Sequence, residues 1–253
     1  MRDIPNDGLL RFPSVGGKNA LIPTSAQSLS QVLVTKSYDF AKEEAIRRVL
    51  AYVLGEESLI TGEGDVHRVH RKNMQPMFGH RQIRNLHPMI WTKVVSMMRL
   101  IAAETATSDG RIEEVEVYQW ASRATLDIIG LVALGHEFKS LENADDKLSK
   151  LYTWFFTPRL ARNIFFAANQ MLPRVIIKYM PWRIEDEIKA QSQELHRECE
   201  VLVVQKKNYM EKQEKERVDV LENMIGAGFF TNRELVDELL AMLAAGYKLI
   251  FLS

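Results

Sequence analysis

The sequence is poor in cysteine and in long apolar runs, and each shortage excludes a class of protein. Cys199 is the single cysteine among 253 residues, which excludes an intramolecular disulfide and any zinc site that needs two thiolates. No stretch of 18 consecutive apolar residues occurs, so no membrane-spanning helix is predicted. The first eight residues are polar and predict neither a signal peptide nor an anchor. We therefore expect a soluble chain.

The sequence also lacks an excess of charge of either sign. Lys and Arg total 33, Asp and Glu total 33, and the formal net charge is zero. This balance argues against a protein that binds nucleic acid by general electrostatic attraction. Gly226 and Gly228 are not followed by Gly-Lys-Ser/Thr, so they do not form a phosphate-binding loop. The composition, 46% hydrophobic and 26% charged, supports a packed core in one large domain or two small ones.

The hydrophobic pattern predicts a mainly α fold with minor β near the N-terminus. Residues 1–35 alternate short apolar pieces with Gly and Pro, which indicates short strands and turns, with a helix starting at Ser25 or Ser28. Helical spacing begins near residue 42 and ends at Gly55. A basic helix over 66–75 ends at Pro76, and a helix over 81–105 contains Pro88. Its predicted buried stripe consists of Val94, Val95, Met98 and Ile101.

The second half of the sequence predicts helices throughout. The helix over 115–133 becomes apolar on every side from Leu126 to Leu134, which indicates a central helix packed on several faces. Later helical segments are interrupted at Pro158, Pro173 and Pro181, and a long charged helix covers 185–217. Thr231 and Glu234 have the spacing of a capping box, so they predict the start of the last, apolar helix.

One cluster has the composition of an anion site, namely the basic segment 67–72 (HRVHRK). On a helix, His67 and Arg71 are four residues apart and share a face, where imidazole and guanidinium donors could converge on an anion. A solvated basic face is an equally good interpretation. A zinc site at His67 and His70 is a weaker one, because a catalytic zinc needs a third protein ligand that no other histidine supplies by its spacing.

Two further groups favour structural roles. Cys199 lies between two glutamates, which disfavour a thiolate, so we interpret it as an inert core or interface thiol rather than a nucleophile. An aromatic group favours a packed core over a pocket for an apolar ligand, although three consecutive members cannot all face inward. Its members are Tyr152, Trp154, Phe155, Phe156, Phe165 and Phe166.

Four segments together resemble a cytochrome P450 of the fungal, microsomal type. Segment 61–78 (TGEGDVHRVHRKNMQPMF) is similar to the entry of the family's C helix, where a Trp or His is followed four residues later by Arg and then by Pro and Phe. Segment 122–138 (SRATLDIIGLVALGHEF) resembles the E helix. Segments 6–11 with 35–40 resemble the N-terminal strands and B helix, and 235–246 (LVDELLAMLAAG) resembles the start of the I helix.

The resemblance implies a partial P450 fold, with helices from about A/B through the start of I, and a haem cofactor. It implies that His67 and Arg71 donate to the haem propionates, that Ala245 and Gly246 lie where the I helix passes over the haem, and that His70 and Lys72 are surface residues. It also implies a monooxygenase that inserts one oxygen atom from O₂ into a small apolar organic substrate, with NADPH–cytochrome P450 reductase as partner. For the family it implies contact with the endoplasmic reticulum membrane.

The sequence departs from the family pattern after Gly246. The family usually continues with an acidic residue and Thr, whereas this sequence reads Tyr247-Lys-Leu-Ile-Phe-Leu-Ser253. The Glu-x-x-Arg pair and the Phe-x-x-Gly-x-Arg-x-Cys loop do not occur, and Cys199 has none of that loop's residues around it. We therefore expect residues 1–253 to form a single incomplete P450 domain with a non-native tail at 247–253, inactive by itself. The alternative is a non-catalytic α-helical interaction module.

Overall fold

The computed structural model describes residues 6–13, 19–105, 115–143, 147–157, 159–172, 174–180, 182–212 and 219–248. Strands β1 (Leu9–Pro13) and β2 (Asn19–Pro23) form an antiparallel pair in which Arg11 faces Leu21. Helix α1 (Ala26–Ser30) begins after Ser25, whose side chain accepts from the backbone N–H of Ser28, so the first of the two predicted starts is confirmed. A π-helical turn (Gln31–Thr35) and a 3₁₀ turn (Ser37–Asp39) follow.

The helices of the first half occur where the sequence predicts them. Helix α2 (Glu44–Leu54) ends at Gly55, α3 (Gly64–Met74) continues into a 3₁₀ turn (Gln75–Phe78) that contains Pro76, and α4 spans His80–Thr105. Helix α5 (Val117–Ile129) extends as a π-helical turn over Gly130–Leu134.

The second half is almost entirely helical in the described residues. The helices are α6 (Lys147–Phe156), α7 (Leu160–Met171), α8 (Arg174–Tyr179), α9 (Arg183–Lys212), α10 (Val220–Ala227) and α11 (Asn232–Lys248). The predicted interruptions at Pro158, Pro173 and Pro181 lie outside the described residues, as do residues 249–253 of the predicted tail. Thr231 and Glu234 form the predicted capping box, with Glu234 N–H donating to Thr231 Oγ1 at 3.2 Å and Thr231 N–H to Glu234 Oε2 at 2.7 Å.

Helix α11 is the centre of the core. It packs against α2, α5 and α9, and Leu239, Leu240 and Leu243 on it are fully buried. Helix α9 covers it with a stripe of apolar residues spaced seven and four residues apart. This stripe consists of Ile188, Leu195, Cys199 and Val203, all fully buried.

The buried stripe predicted for α4 is wrong. Met98 is 58% exposed, and α4 has no fully buried residue. The cause is the position of the helix: among the described helices, α4 makes its main packing contact with α5 alone, so its apolar face is covered only in part. Val94, Val95 and Ile101 are accordingly half-buried.

Helix α5 is the central helix that its apolar sequence predicts, and it also carries a buried carboxylate. Leu126 is 1% exposed and Asp127 is fully buried. Asp127 accepts hydrogen bonds from the backbone N–H groups of Ser140 at 2.7 Å and Leu141 at 3.2 Å. The carboxylate therefore holds the segment after α5 in place, because buried amide donors need a partner.

Candidate ligand-binding face of helix α3

Helix α3 presents His67 and Arg71 on one face. His67 is half-buried, and its Nδ1 lies 3.2 Å from the hydroxyl of Tyr38, whose ring meets the imidazole edge-on at a centroid distance of 5.7 Å. Arg71 is exposed and makes no ion pair with any residue that the structure describes. The Nε2 atom of His67 and the guanidinium of Arg71 therefore remain available to a ligand on this face.

The electrostatic surroundings of His67 favour an anionic ligand. Burial lowers the pKa of His67, and the positive charges of Lys42 and Arg71 lower it further. A neutral imidazole therefore faces solvent in a positive local potential. A bound carboxylate would offset that potential and accept hydrogen bonds from both side chains.

Arg68 is on the same helix but its charge is already satisfied. Its guanidinium pairs with Asp65 at 2.9 Å and lies over the ring of Tyr38 at 4.6 Å. Lys72 is exposed, as expected for a surface residue. Among positions 67, 68, 71 and 72, His67 and Arg71 are thus the pair best placed to act together.

The expectation that His70 lies on the surface is wrong. His70 is 3% exposed, with Nδ1 2.8 Å from Glu238 Oε1 and Nε2 3.1 Å from Glu234 Oε1. Its ring also meets Phe230 edge-on at 5.3 Å. His70 faces inward because α11 supplies two carboxylates from positions 234 and 238, one helical turn apart. No signal within the segment 67–72 indicates this partner, which is more than 160 residues away.

Ala245 and Gly246 lie on different sides of α11. Ala245 is exposed and is seven residues after Glu238, so it lies two turns further along the same helix face. Gly246 is buried, and a Cβ atom there would lie 2.9 Å from Cβ of Ile129 on α5. The small residue at 246 therefore permits close packing of α11 on α5, and the small residue at 245 leaves the face of α11 beyond His70 open.

The remaining candidates have mainly structural roles. Cys199 is fully buried, and burial raises the pKa of its thiol, so it is the inert core thiol that the sequence predicts. Tyr152, Phe155 and Phe165 are buried in the core, which confirms the packed-core interpretation for them. Trp154 is only partly buried and lines a cavity of about 580 Å³ between α5 and α6. No helix in the described part of the chain is long and apolar enough to cross a membrane.

The fold is that of cytochrome P450 structures. The chain superposes on a cyanobacterial P450, CYP120A1, bound to retinoic acid, with a TM-score of 0.65 and 20% identity over 95% of this chain and 49% of the other. A second P450 structure, CYP102L1, gives a TM-score of 0.70 and 14% identity over 96% and 53% of the two chains.

Sequence comparison identifies the family. The family model for cytochrome P450 matches residues 13–248. The chain is 33% identical to the cytochrome P450 monooxygenase sphH of Aspergillus fumigatus over 98% of this chain and 46% of the relative. It is 30% identical to the cytochrome P450 monooxygenase FUM15 of Gibberella moniliformis over 95% of this chain and 41% of the relative. The chain belongs to the cytochrome P450 family and spans about half the length of these relatives.

Proposed function

We propose that the chain is part of a haem-thiolate monooxygenase that hydroxylates a small apolar organic substrate with O₂. Its electrons would come from NADPH through a P450 reductase, and the assembled enzyme would work at the endoplasmic reticulum membrane. Family membership supports the reaction class. The particular proposal for this chain is that His67 and Arg71 bind the haem propionates and that Ala245 and Gly246 belong to the segment of α11 over the haem.

The observation that carries this proposal is the donor pair on α3. Two propionates require two donors on one surface, and His67 and Arg71 are one helical turn apart with a free Nε2 and an unpaired guanidinium among the described residues. Burial lowers the pKa of His67, and the positive charges of Lys42 and Arg71, which lower it further, suit a dianionic edge. A guanidinium binds a carboxylate in a bidentate manner, and the neutral imidazole donates through one N–H. The residues present therefore fit the group.

Helix α11 contributes the open side of the site. Because Ala245 carries only a methyl group and is exposed, a flat ring can approach this face closely. Gly246 contributes indirectly. Its contact with Ile129 brings α11 close to α5 and thereby sets the position of the face at Ala245 relative to α5.

When haem is bound through a cysteine thiolate, its iron supplies O₂ activation, and the thiolate promotes cleavage of the O–O bond. Cys199 is the single thiol of the 253 residues and is fully buried in α9. We therefore expect the 253-residue chain to bind haem without hydroxylating a substrate. The absorption maximum of thiolate-ligated ferrous–CO haem in this chain would contradict that expectation.

Haem titration of the purified chain, followed by Soret absorbance, tests the proposal. We expect His67→Ala and Arg71→Ala each to weaken haem affinity about tenfold or more, as for loss of a hydrogen bond to a charged group. Arg68→Ala is the matched control, because it removes a cation from the same helix that already pairs with Asp65. Equal affinity in all four proteins would overturn the assignment. An absence of haem binding by the unaltered chain would leave the non-catalytic helical module as the better interpretation.

A further inference from the structure

His70 is one of only two buried residues on α3, the other being Met74 one turn later. The remaining nine residues of this helix are exposed or half-buried. In contrast, α11 is buried along most of its length. The attachment of α3 to the core therefore depends on a few side chains, and the imidazole of His70 contacts two carboxylates of α11.

The contact of His70 with α11 is polar, and it depends on which imidazole nitrogens and carboxyl groups carry a proton. Both ring nitrogens face carboxylate oxygens, at 2.8 Å to Glu238 and 3.1 Å to Glu234. An ionised carboxylate can only accept a hydrogen bond. The contacts of His70 with Glu234 and Glu238 are therefore both hydrogen bonds only if both ring nitrogens carry a proton or if one of the two carboxyl groups is protonated.

The two carboxyl groups differ in their surroundings. Burial raises the pKa of Glu238, and Asp237, which is 1% exposed, acts in the same direction, although His70 opposes both. Burial would also raise the pKa of Glu234, but the hydrogen bonds from Thr231 and His70 outweigh it and lower that pKa. On the α3 side, Arg71 is one residue from His70 in the sequence, Arg68 and Lys72 are two residues away, and His67 is three residues away. The surroundings therefore favour the charged form of Glu234 more than that of Glu238.

The position of this contact relates two parts of the proposed haem site. His70 precedes Arg71 by one residue and follows His67 by three, so its bonds fix the rotation of α3 about its axis. Glu238 precedes Ala245 by two turns on the same face of α11. A small rotation of α3 would move the donors at 67 and 71 relative to the face at 245, because all these side chains extend from two rigid helices.

We propose that His70 is a positioning residue that locks α3 against α11 and thereby aims His67 and Arg71 at the ligand. This inference rests on the proposed function for its haem-related part. It goes beyond that function because it assigns a role to His70, Glu234 and Glu238, a triad that does not touch the ligand.

Hydrogen–deuterium exchange on the haem-free chain tests the lock directly. We expect His70→Leu to increase the exchange rates of the backbone amides of 67–73 by about tenfold or more, with α9 unchanged under native conditions. Leu195→Ala is the control for general destabilisation, because it opens a cavity in α9, away from α3. If α3 amides exchange equally fast in His70→Leu and in the unaltered chain, the inference is wrong.

A double variant separates positioning from stability. His70→Leu removes the imidazole partner of two carboxylates, whereas His70→Leu with Glu238→Leu replaces both members of the shorter bond by apolar groups. We expect the double variant to regain most of the unfolding free energy but to keep fast exchange in α3 and about tenfold weaker haem binding. The double variant could instead recover slow exchange in α3 and haem affinity together with stability. That result would show that apolar packing alone holds α3 in place, and it would refute the lock.

The two proposals fail in distinguishable ways. If His67→Ala and Arg71→Ala weaken haem binding but the His70 variants do not, the lock is wrong and the propionate site stands. If the unaltered chain binds no haem, the propionate site is wrong. The exchange of α3 then decides the lock by itself, with faster exchange in His70→Leu supporting it and equal exchange refuting it.

Discussion

A Cβ atom on Gly246 would lie 2.9 Å from Cβ of Ile129 and 3.0 Å from its Cγ1, so α11 and α5 cross at a separation that only glycine permits. Both helices are central, and neither can move outward without opening the core. We expect Gly246→Ala to lower the unfolding free energy by about 1–3 kcal/mol through overpacking. Urea denaturation, monitored by far-ultraviolet circular dichroism, measures this loss of unfolding free energy.

A second variant tests whether the contact itself is the cause. Ile129→Ala removes Cγ1 and Cγ2 and should destabilise the chain alone, but in combination with Gly246→Ala the two losses should add to less than their sum. Ala245→Gly is the neighbouring control, with only the loss in helix propensity of about 1 kcal/mol at an exposed position. If the losses of unfolding free energy for Gly246→Ala and Ile129→Ala simply add, the distance between α11 and α5 adjusts freely and the contact is not the cause.

Gly135 ends the π-helical turn after α5 in the left-handed region, with φ of 60°. A Cβ atom there would lie 2.6 Å from Oδ2 of Asp219 and 2.9 Å from Nζ of Lys206. Asp219 cannot easily yield, because it caps α10 by accepting from Glu222 N–H at 2.8 Å and also pairs with Lys206. We expect Gly135→Ala to cost about 2–4 kcal/mol, combining left-handed strain with the crowding of a buried ion pair.

Gly228 provides the comparison for this prediction. It also ends a helix in the left-handed region, with φ of 70°, but no heavy atom lies within 4 Å of the position that a Cβ atom would take there. Gly228→Ala should therefore cost only the backbone strain of about 1–2 kcal/mol. Thermal unfolding of both variants measures the difference, and equal losses would mean that Asp219 and Lys206 move aside without cost.

The histidine of α9 predicts a pH dependence of stability. Burial lowers the pKa of His196, but Asp237, with its Oδ1 3.6 Å from Nε2, and the carbonyl of Ser192, 2.8 Å from Nδ1, outweigh burial and raise it. A raised pKa means that the folded state binds the proton more tightly than the unfolded state. The stabilisation is therefore complete below pH 6.5 and is lost as the pH rises through the raised pKa.

Urea denaturation at several pH values above 6.5 measures this effect. We expect the free energy of unfolding to fall with rising pH in the unaltered chain and to fall less steeply in His196→Gln. His87→Gln is the control, because His87 is an exposed histidine on α4. The same slope in all three proteins would show that His196 is not responsible.

The parts of the fold that follow from local sequence could be predicted, and the parts that depend on distant partners could not. The capping box at Thr231 and the helix end at Gly55 involve atoms within a few residues of one another, so the sequence pattern is sufficient. His67 and Arg71 share a helix face for the same reason. The burial of His70 depends on α11, and the exposure of Met98 depends on which neighbours α4 has, so neither can be read from helical periodicity. The role of Asp127 has no sequence signature either, because its partners are backbone amides.

Cys199 gives this protein a built-in reporter of its own opening. The thiol is the only one in the sequence, and it is fully buried in the core cluster to which α9 and α11 both contribute. Because burial also raises its pKa, a thiol reagent can modify it only when the two helices separate and water enters. The labelling rate in the absence of denaturant therefore measures how often the centre of the fold comes apart, without any added probe or substitution.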